Sequence, residues 1–256
     1  MRAMRKYVVP AFRRAVILAA ALLAAAVPAG AQDRFRVSVN AGQQATSTAV
    51  SGDQNFQQYL EQGSFTFDGT VPKAPFYDAG LAVRVWRGLH AGAAVSIFED
   101  TGSGTITARV PHPLFFNQQR TVAGEIANID RREVGQHISA GWAIPAAGGL
   151  DFIIFGGPSI FTTEQMFVTT LMLALDKEVY PFDTLSFPGV GTEKKRDHVM
   201  GYNAGVDMTW RFAEKVGVGL LVRYSQGRKD FTPTGGTPVD IEVGGLHAGG
   251  GLRLIF

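Results

Sequence analysis

The sequence predicts an all-β chain that crosses a membrane as a closed, antiparallel, up-and-down barrel, with eight strands as the prediction and ten as the alternative. Two observations lead to this fold. Apolar residues occupy every second position in eight separate segments, which is the period of a strand with two different faces. The connections between these segments alternate between tight turns and long polar loops, an arrangement typical of transmembrane β-barrels.

The N-terminal residues 1–31 are predicted to be a secretory signal peptide. Five basic residues precede the apolar run 15–27, and the small residues 28–31 follow it. This three-part pattern is typical of a cleaved export signal. We expect cleavage after Ala31, which leaves residues 32–256 as one barrel domain. The adjacent Arg13 and Arg14 keep a twin-arginine route as the alternative, although no cofactor-binding motif follows that would require export of a folded chain.

Removing this segment changes what the composition means. The whole chain has a formal net charge of +2, and without its five N-terminal basic residues the charge becomes −3, so the basic pI gives no reason to expect nucleic-acid binding. The absence of cysteine excludes disulfides, thiolate metal sites and a lipidated N-terminal cysteine. Beyond residue 31, no apolar run approaches the roughly 20 residues of a spanning helix, so strands must make any crossing.

Eight segments carry the alternation, most clearly residues 200–212, where even-numbered positions are apolar and odd-numbered positions are Gly, Asn, Thr or charged. Residues 63–69 and 165–173 also alternate within the long loops, and they supply the ten-strand alternative. The eight predicted strands are 35–44, 79–86, 89–98, 134–144, 150–161, 200–212, 216–225 and 239–256.

Aromatic residues near strand ends are expected to form girdles at the two lipid interfaces. Trp86 is out of phase with its strand, so we expect it to face the lumen. The predicted girdle residues are Phe35, Trp142, Trp210 and Phe212 at the turn side, and Tyr202 and Tyr224 at the loop side.

The last strand changes phase along its length. Its first apolar residues, including Ile241 and Val243, are odd-numbered, whereas Leu252 and Leu254 are even-numbered. A β-bulge at Gly244–Gly245 would reconcile the two halves.

Charged residues on the polar strand faces define a predicted lumen charge cluster. Opposite charges in a narrow barrel lower one another's desolvation cost, and the interior of an eight-stranded barrel is just wide enough for side chains to fill. We therefore expect a salt-bridge network that plugs the lumen, with a gate or ion path as the alternative. The cluster comprises Arg36, Asp78, Arg84, Glu133, Asp151, Asp207, Arg211, Arg223 and Arg253.

Catalytic, cofactor and metal sites are not expected. The five histidines lack metal-binding spacing. Asp197–His198 is the only adjacent acid and imidazole pair near the predicted barrel mouth, and no G-x-S-x-G elbow accompanies it. We therefore expect no enzyme activity. A lipid-modifying enzyme is the alternative, and full activity of a His198→Ala variant would exclude it.

The signal segment, the alternating strands and the C-terminal residues Leu252, Leu254 and Phe256 together resemble the small, OmpA/OmpX-like outer-membrane β-barrel proteins of Gram-negative-type bacteria. Such proteins end in Phe preceded by alternating apolar residues, and Leu254 stands where many members have an aromatic one. The resemblance implies the cell outer membrane, contact with its lipid and lipopolysaccharide, and insertion by the barrel assembly machinery after escort by periplasmic chaperones. It implies no activity.

The expected function is therefore a structural or surface-interaction role for a plugged barrel with no nucleic-acid partner. A narrow channel for ions, small solutes or hydrophobic ligands is the alternative, which planar-bilayer conductance distinguishes. Apolar loop segments at 111–116, 167–175 and 180–182 are expected to pack over the barrel mouth or to contact a partner or lipopolysaccharide.

Overall fold

The computed structural model describes residues 34–175, 178–232 and 239–256. The predicted signal peptide and its cleavage site lie outside these residues. No helix in the described ranges is long and apolar enough to cross a membrane. The strands are β1 (Phe35–Gln44), β2 (Thr48–Gln58), β3 (Glu61–Val71), β4 (Pro75–Trp86), β5 (Leu89–Pro111), β6 (Gln119–Pro145), β7 (Leu150–Met172), β8 (Gly189–Arg211), β9 (Val216–Phe231) and β10 (Val239–Ile255), with a 3₁₀ turn at Ala147–Gly149.

Eight of these strands close into a ring, which confirms the predicted closed antiparallel barrel. The order around the ring is β1, β4, β5, β6, β7, β8, β9 and β10, and β10 pairs back onto β1 from Arg36↔Ile255 to Gln44↔His247. Every neighbouring pair is antiparallel. Because a closed ring has no edge strand, the backbone of each ring strand has a partner on both sides.

The remaining two strands, β2 and β3, form a hairpin outside the ring. Residues Ser64–Thr70 of β3 pair with Ser103–Arg109 of β5, in the part of β5 that extends beyond the barrel, and β2 pairs only with β3. The alternation at 63–69 therefore marks a real strand that does not enter the barrel wall. The alternation at 165–173 marks an extension of β7, which continues to Met172.

The two ends of the barrel differ. Three tight connections lie at one end, namely 87–88, 146–149 and 212–215, and both described termini meet there, since the backbone N–H of Arg34 donates to the oxygen of Phe256 at 2.6 Å. We call this the turn end. At the opposite loop end, β5 and β6 stay paired as far as Pro111↔Gln119 and carry the hairpin beyond the ring.

An apolar belt covers the outside of the ring between the two ends. Trp210 contacts Phe212 towards the turn end, with ring centroids 6.5 Å apart, and Tyr202 contacts Tyr224 towards the loop end, also at 6.5 Å. The exposed side chains of this belt include Val39, Val95, Ile138, Trp142, Ile154, Ile160, Met200, Val206, Val218, Leu220, Val222, Leu246 and Leu252.

The prediction for Trp86 is wrong. Its side chain is 58% exposed, and it pairs with Leu89, which in turn pairs with the girdle residue Trp142. A register shift between Arg84 and Trp86 moves the end of β4 by one residue. Because side chains alternate between faces, this shift places Trp86 on the outer face with its two partners.

The predicted bulge at Gly244–Gly245 is also wrong. β10 pairs with β9 one residue to one residue from Val239 to Leu254, and its odd-numbered side chains face inwards throughout. Ile241 and Val243 are each 3% exposed, whereas Arg253 is fully buried. The strand keeps its phase, and it is the interior that changes from polar to apolar along the barrel axis.

Two apolar clusters fill the interior at the loop end. The first joins the hairpin to the extensions of β5, β6 and β7 through Phe65, Phe67, Ile106, Ile129 and Val168. The second closes the top of the ring and contains Phe161, Phe167, Val199, Phe231, Ile241 and Val243. Most of the polar part of the lumen therefore lies between this apolar cap and the turn end.

Candidate functional site

The lowest charged layer of the lumen joins opposite sides of the barrel. Arg36 on β1 donates from Nη1 to Asp151 Oδ1 at 2.8 Å and from Nη2 to Asp151 Oδ2 at 3.1 Å, and Nη1 also reaches Thr209 Oγ1 at 3.1 Å. Asp151 lies on β7, four strands from β1 in either direction around the ring. A bidentate Arg–carboxylate pair of this kind is strong and directional, and here it spans the full width of the lumen.

Two further predicted residues lie at the turn-end opening of this layer. Arg211 Nε is 3.9 Å from Asp151 Oδ2, and its side chain is 36% exposed. Arg84 is exposed at the mouth, next to the register shift in β4. The structure therefore brings Arg211 close to the lowest layer and places Arg84 at the rim.

The next layer pairs β10 with β8. Arg253 donates from Nε to Asp207 Oδ1 at 3.1 Å and from Nη2 to Asp207 Oδ2 at 2.6 Å, and its Nη1 donates to Asn40 Oδ1 at 2.7 Å. The Arg253 side chain has no exposed surface. Burial at this depth is tolerable only because the guanidinium has a carboxylate and an amide oxygen as partners.

Above it, Arg223 and Asp78 connect β9 with β4. Arg223 Nη1 donates to Asp78 Oδ2 at 2.6 Å, and Asn40 Nδ2 donates to Asp78 Oδ1 at 3.0 Å. Asn40 thus links this pair to Arg253 in the layer below. The Arg223 guanidinium also lies 5.7 Å from the ring centroid of Phe155, so an aromatic face supports the cation on a second side.

The uppermost charged layer again spans the ring from β6 to β10, which lie four strands apart. Arg131 Nε donates to Glu133 Oε1 at 2.7 Å, and Arg131 Nη2 donates to the carbonyl oxygen of Glu242 at 2.5 Å. Glu133 Oε2 accepts the backbone N–H of Gly244 at 2.9 Å. Glu133 belongs to the predicted cluster and Arg131 does not, because the predicted strands end at residue 98 and begin again at residue 134. The inward phase of β6 nevertheless continues through both residues.

A neutral polar layer separates the charged layers. One ring nitrogen of His137 lies 2.9 Å from Ser96 Oγ and the other lies 2.8 Å from Ser159 Oγ, which also accepts from Asn203 Nδ2 at 2.9 Å. The His137 and His247 side chains are almost completely buried. His137 therefore has two hydroxyl partners and serves to fill this cross-section.

Little space remains between these layers. A cavity of about 70 Å³ is bordered by Arg36, Asn40, Asp78, Asp207 and Arg223. Since one water occupies about 30 Å³ in the liquid, this volume accommodates a few waters and no organic solute.

The acid and imidazole of Asp197–His198 do not pair with each other. Lys229 Nζ lies 2.7 Å from Asp197 Oδ2, and the backbone N–H of His198 donates to Asp197 Oδ1 at 2.7 Å. The hydrogen bond from Lys229 holds the pKa of Asp197 below its ordinary value. His198 Nδ1 instead lies 3.0 Å from Thr162 Oγ1, so no acid–imidazole–nucleophile chain is formed. Within the described ranges, no three His, Asp or Glu side chains are grouped to hold a metal ion.

The predicted assembly signal lies at the seam between β10 and β1. Leu252 pairs with Val39 and is 58% exposed on the belt, and Leu254 pairs with Val37. The oxygen of Phe256 accepts the N–H groups of both Arg34 and Phe35, and its N–H donates to the carbonyl of Phe35 at 2.9 Å. These contacts fix the last strand in the ring; recognition of the signal during assembly stays a prediction.

No protein-family model matches the sequence, and no curated protein matches it. Among solved structures, the chain is similar to the outer membrane protein OprG from Pseudomonas aeruginosa, with a TM-score of 0.47 and 8% identity over 88% of this chain and 97% of that one. It is similar to Neisserial surface protein A, with a TM-score of 0.39 and 12% identity over 87% and 97% of the two chains. The N-terminal β-barrel domain of Pseudomonas aeruginosa OprF gives a TM-score of 0.38 and 10% identity over 88% and 98%.

Proposed function

We propose that this protein is an integral outer-membrane barrel with a closed lumen and a structural or surface-interaction role. The observation that carries the proposal is the pair of full-width crossings, Arg36–Asp151 near the turn end and the Arg131–Glu133 layer beside the apolar cap. Between them, the Arg253–Asp207 and Arg223–Asp78 pairs fill the remaining cross-sections. An ion entering from either end therefore meets buried, partnered side chains.

Placement in a membrane is supported by the height of the apolar belt. Tyr202 on β8 and Phe212, which directly follows the strand, mark its two aromatic boundaries. They are ten residues apart, about 33 Å along the strand, and a strand tilt of about 40° reduces this to a height of about 25 Å. Outer-membrane barrels carry an apolar band of about 25 Å between two aromatic girdles, and their strands are tilted. The belt fits this thickness, with the turn end at the periplasm and the loop end outside the cell.

The loop end suits a surface-interaction role because it holds apolar side chains well clear of the belt. Tyr59 Oη donates to Glu178 Oε2 at 3.2 Å, Arg120 Nη1 donates to Glu178 Oε1 at 2.9 Å, and His112 Nε2 lies 3.2 Å from the carbonyl of Pro181. These bonds hold the β2–β3 turn, the β5–β6 turn and the segment after β7 together. The most exposed apolar residues at this tip are Leu60, Phe116, Val179 and Tyr180.

The closed lumen is directly testable, because the natural chain has no cysteine. Ser225 faces the lumen with no exposed surface, and Ser103 is exposed on the extension of β5. In reconstituted protein, we expect a small charged thiol reagent to label Ser103→Cys and to leave Ser225→Cys unlabelled until the barrel is unfolded. Equal labelling rates for the two folded variants would contradict a closed lumen. Ser159→Cys, also in the lumen, repeats the test if Ser225→Cys fails to fold.

We further propose that the chain has no catalytic role and that it is inserted by the barrel assembly machinery after delivery by periplasmic chaperones. The separation of Asp197 from the His198 ring supports the first point. Outer-membrane lipid composition should be the same with the wild-type chain and with His198→Ala. The exposed position of Leu252 on the belt at the closing seam supports the second point, and Phe256→Ser should reduce insertion by the purified machinery.

A further inference from the structure

The outer surface of the apolar belt contains a groove of about 610 Å³, which we call the belt groove. Ala79 on β4 and Ala93 on β5 line it, and their side chains end at Cβ, so they leave space between larger neighbours. Sites for small ligands have volumes of about 300–1,000 Å³ and mostly apolar linings, so the groove can hold a ligand. The larger side chains that border it include Val39, Ile138, Ile160 and Met200.

One polar side chain lies within this apolar surface. Gln136 lines the groove and is exposed on the outer face of β6. Val134 and Ile138 are its nearest outward neighbours on β6, and Val95 and Ile160 are its partners on β5 and β7. Among the described residues, the Gln136 amide makes no hydrogen bond. Because hydrocarbon offers no hydrogen-bonding group, an amide left alone there is costly, and a polar group on the occupant would remove that cost.

The depth of Gln136 in the belt indicates what the occupant is. Gln136 is six residues from the girdle residue Trp142 on the same strand, which is about 20 Å along the strand and about 15 Å in height at a tilt of about 40°. It therefore lies inside the belt, on the loop side of its middle. The groove is continuous with the surface that faces lipid, so its occupant comes from the membrane.

We propose that the belt groove binds one acyl chain of a lipid in the loop-side leaflet, and that Gln136 bonds to a hydroxyl or amide group on that chain. The apolar lining contacts the methylene groups. The Gln136 amide can both donate and accept a hydrogen bond, whereas an unsubstituted chain would leave it without a partner. The proposal rests on the membrane placement given above.

The test uses the folded barrel in deuterated detergent micelles, observed by NMR at the Ala79 methyl group. The two probes are tetradecanoic acid and 3-hydroxytetradecanoic acid, which differ by one hydroxyl group. Ala93→Leu fills the groove, and Gln136→Leu removes the amide. The matched control is Ala248→Leu, which makes the same change at an exposed position of β10 outside the groove.

We expect both acids to shift the Ala79 signal of the wild type saturably. The hydroxylated acid should bind about three- to tenfold more tightly, as one net hydrogen bond implies. Gln136→Leu should remove this preference, and Ala93→Leu should weaken binding of both acids about tenfold because a larger side chain displaces methylene contacts. Ala248→Leu should bind like the wild type.

Equal affinities of the wild type for the two acids, or wild-type affinities in Ala93→Leu, would overturn the proposal. A wild-type dimer that Ala93→Leu dissociates, with no saturable binding of either acid, would assign the groove to a second copy of the chain and would also overturn it. Heat-modifiable gel migration checks that each variant is folded, and Ala93→Val replaces Ala93→Leu if the latter fails to fold. None of these results would affect the lumen test at Ser225.

Discussion

Arg36 and Asp151 lie on opposite sides of the barrel, and their side chains meet across the lumen with Nη1–Oδ1 and Nη2–Oδ2 distances of 2.8 and 3.1 Å. The strands that carry them are not hydrogen-bonded to each other, so this contact exists only when the ring is closed. The ion pair therefore has two effects. It crosses the lumen near the turn end and it ties the first strand of the chain to the far wall.

Replacing Asp151 with Asn should destabilise the barrel by about 3 kcal/mol, because Arg36 and the neighbouring Arg211 lose their shared carboxylate in a partly dehydrated site. Denaturant unfolding in micelles, followed by tryptophan fluorescence, measures the loss. Asp240→Asn removes an exposed carboxylate that pairs with Arg228, and it should cost no more than about 1 kcal/mol. The double variant Arg36→Met/Asp151→Leu should lose less than Asp151→Asn, and a larger loss would contradict this explanation.

Phe67 anchors the hairpin to the extensions of the barrel strands, and it is 5% exposed in the first apolar cluster. Phe67→Ala should destabilise the loop-end core by about 3–5 kcal/mol, as for other buried Phe truncations, while the ring below remains closed. Limited proteolysis should then cleave within residues 48–71 faster than in the wild type, with unchanged heat-modifiable migration. Thr66→Ala, on the exposed face of the same strand, is the control; equal cleavage of both variants would show that Phe67 is not the anchor.

The seam between β1 and β10 requires glycine where the two backbones approach closely, at Gly251 on β10 and at Gly42 on β1. A Cβ atom on Gly251 would collide with the carbonyl oxygen of Val39, whereas a Cβ atom on Gly250 would have its nearest neighbours at 3.5 Å. Gly251→Ala should therefore lower the yield of folded barrel on refolding into micelles, and Gly250→Ala should refold like the wild type. The close approach of backbone leaves no room for a methyl group without moving one strand. Similar yields of folded barrel for the two variants would contradict this steric explanation.

Asp197 lies on β8 beyond Tyr202 towards the loop end, and the hydrogen bond from Lys229 lowers its pKa from the ordinary 3.8. A carboxyl group whose pKa is lowered by folding contributes stability that is present above the unfolded-state pKa and is lost as the pH falls through the folded-state value. Lys229→Met should raise the pKa of Asp197 towards 3.8, and NMR titration of the Asp197 side chain would show it. An unchanged pKa would mean that the backbone N–H of His198 is sufficient.

The ring strands were predictable because each presents one face to apolar surroundings and the other to a polar interior. This difference produces the period-2 alternation of apolar and polar residues in the sequence. β2 was not predictable, since Thr48–Gln58 is rich in Gln and other polar residues and buries only a few side chains, such as Val50 and Gln54. The apolar interior at Ile241 and Val243 looked like a change of phase because the alternation rule assumes a lumen that is polar throughout.

The members of the charge cluster followed from phase, but their partners did not. Alternation places Asp78 and Arg223 in the lumen without indicating that they meet across strands β4 and β9, because that contact depends on the stagger of the ring. Arg131 was missed for a related reason. Its strand continues beyond the apolar belt. There the outward-facing residues are no longer regularly apolar, so the sequence loses the alternation that predicts a strand.

Planar-bilayer recording of the purified protein tests the closed lumen most directly. Four layers of partnered charges and an apolar cap predict a bilayer current without stepwise openings at moderate voltages, for the wild type and for Arg84→Ala alike. Reproducible stepwise openings of the wild type, with a conductance that changes in Arg84→Ala or Arg211→Ala, would show that ions pass along the charged lumen and would contradict the account.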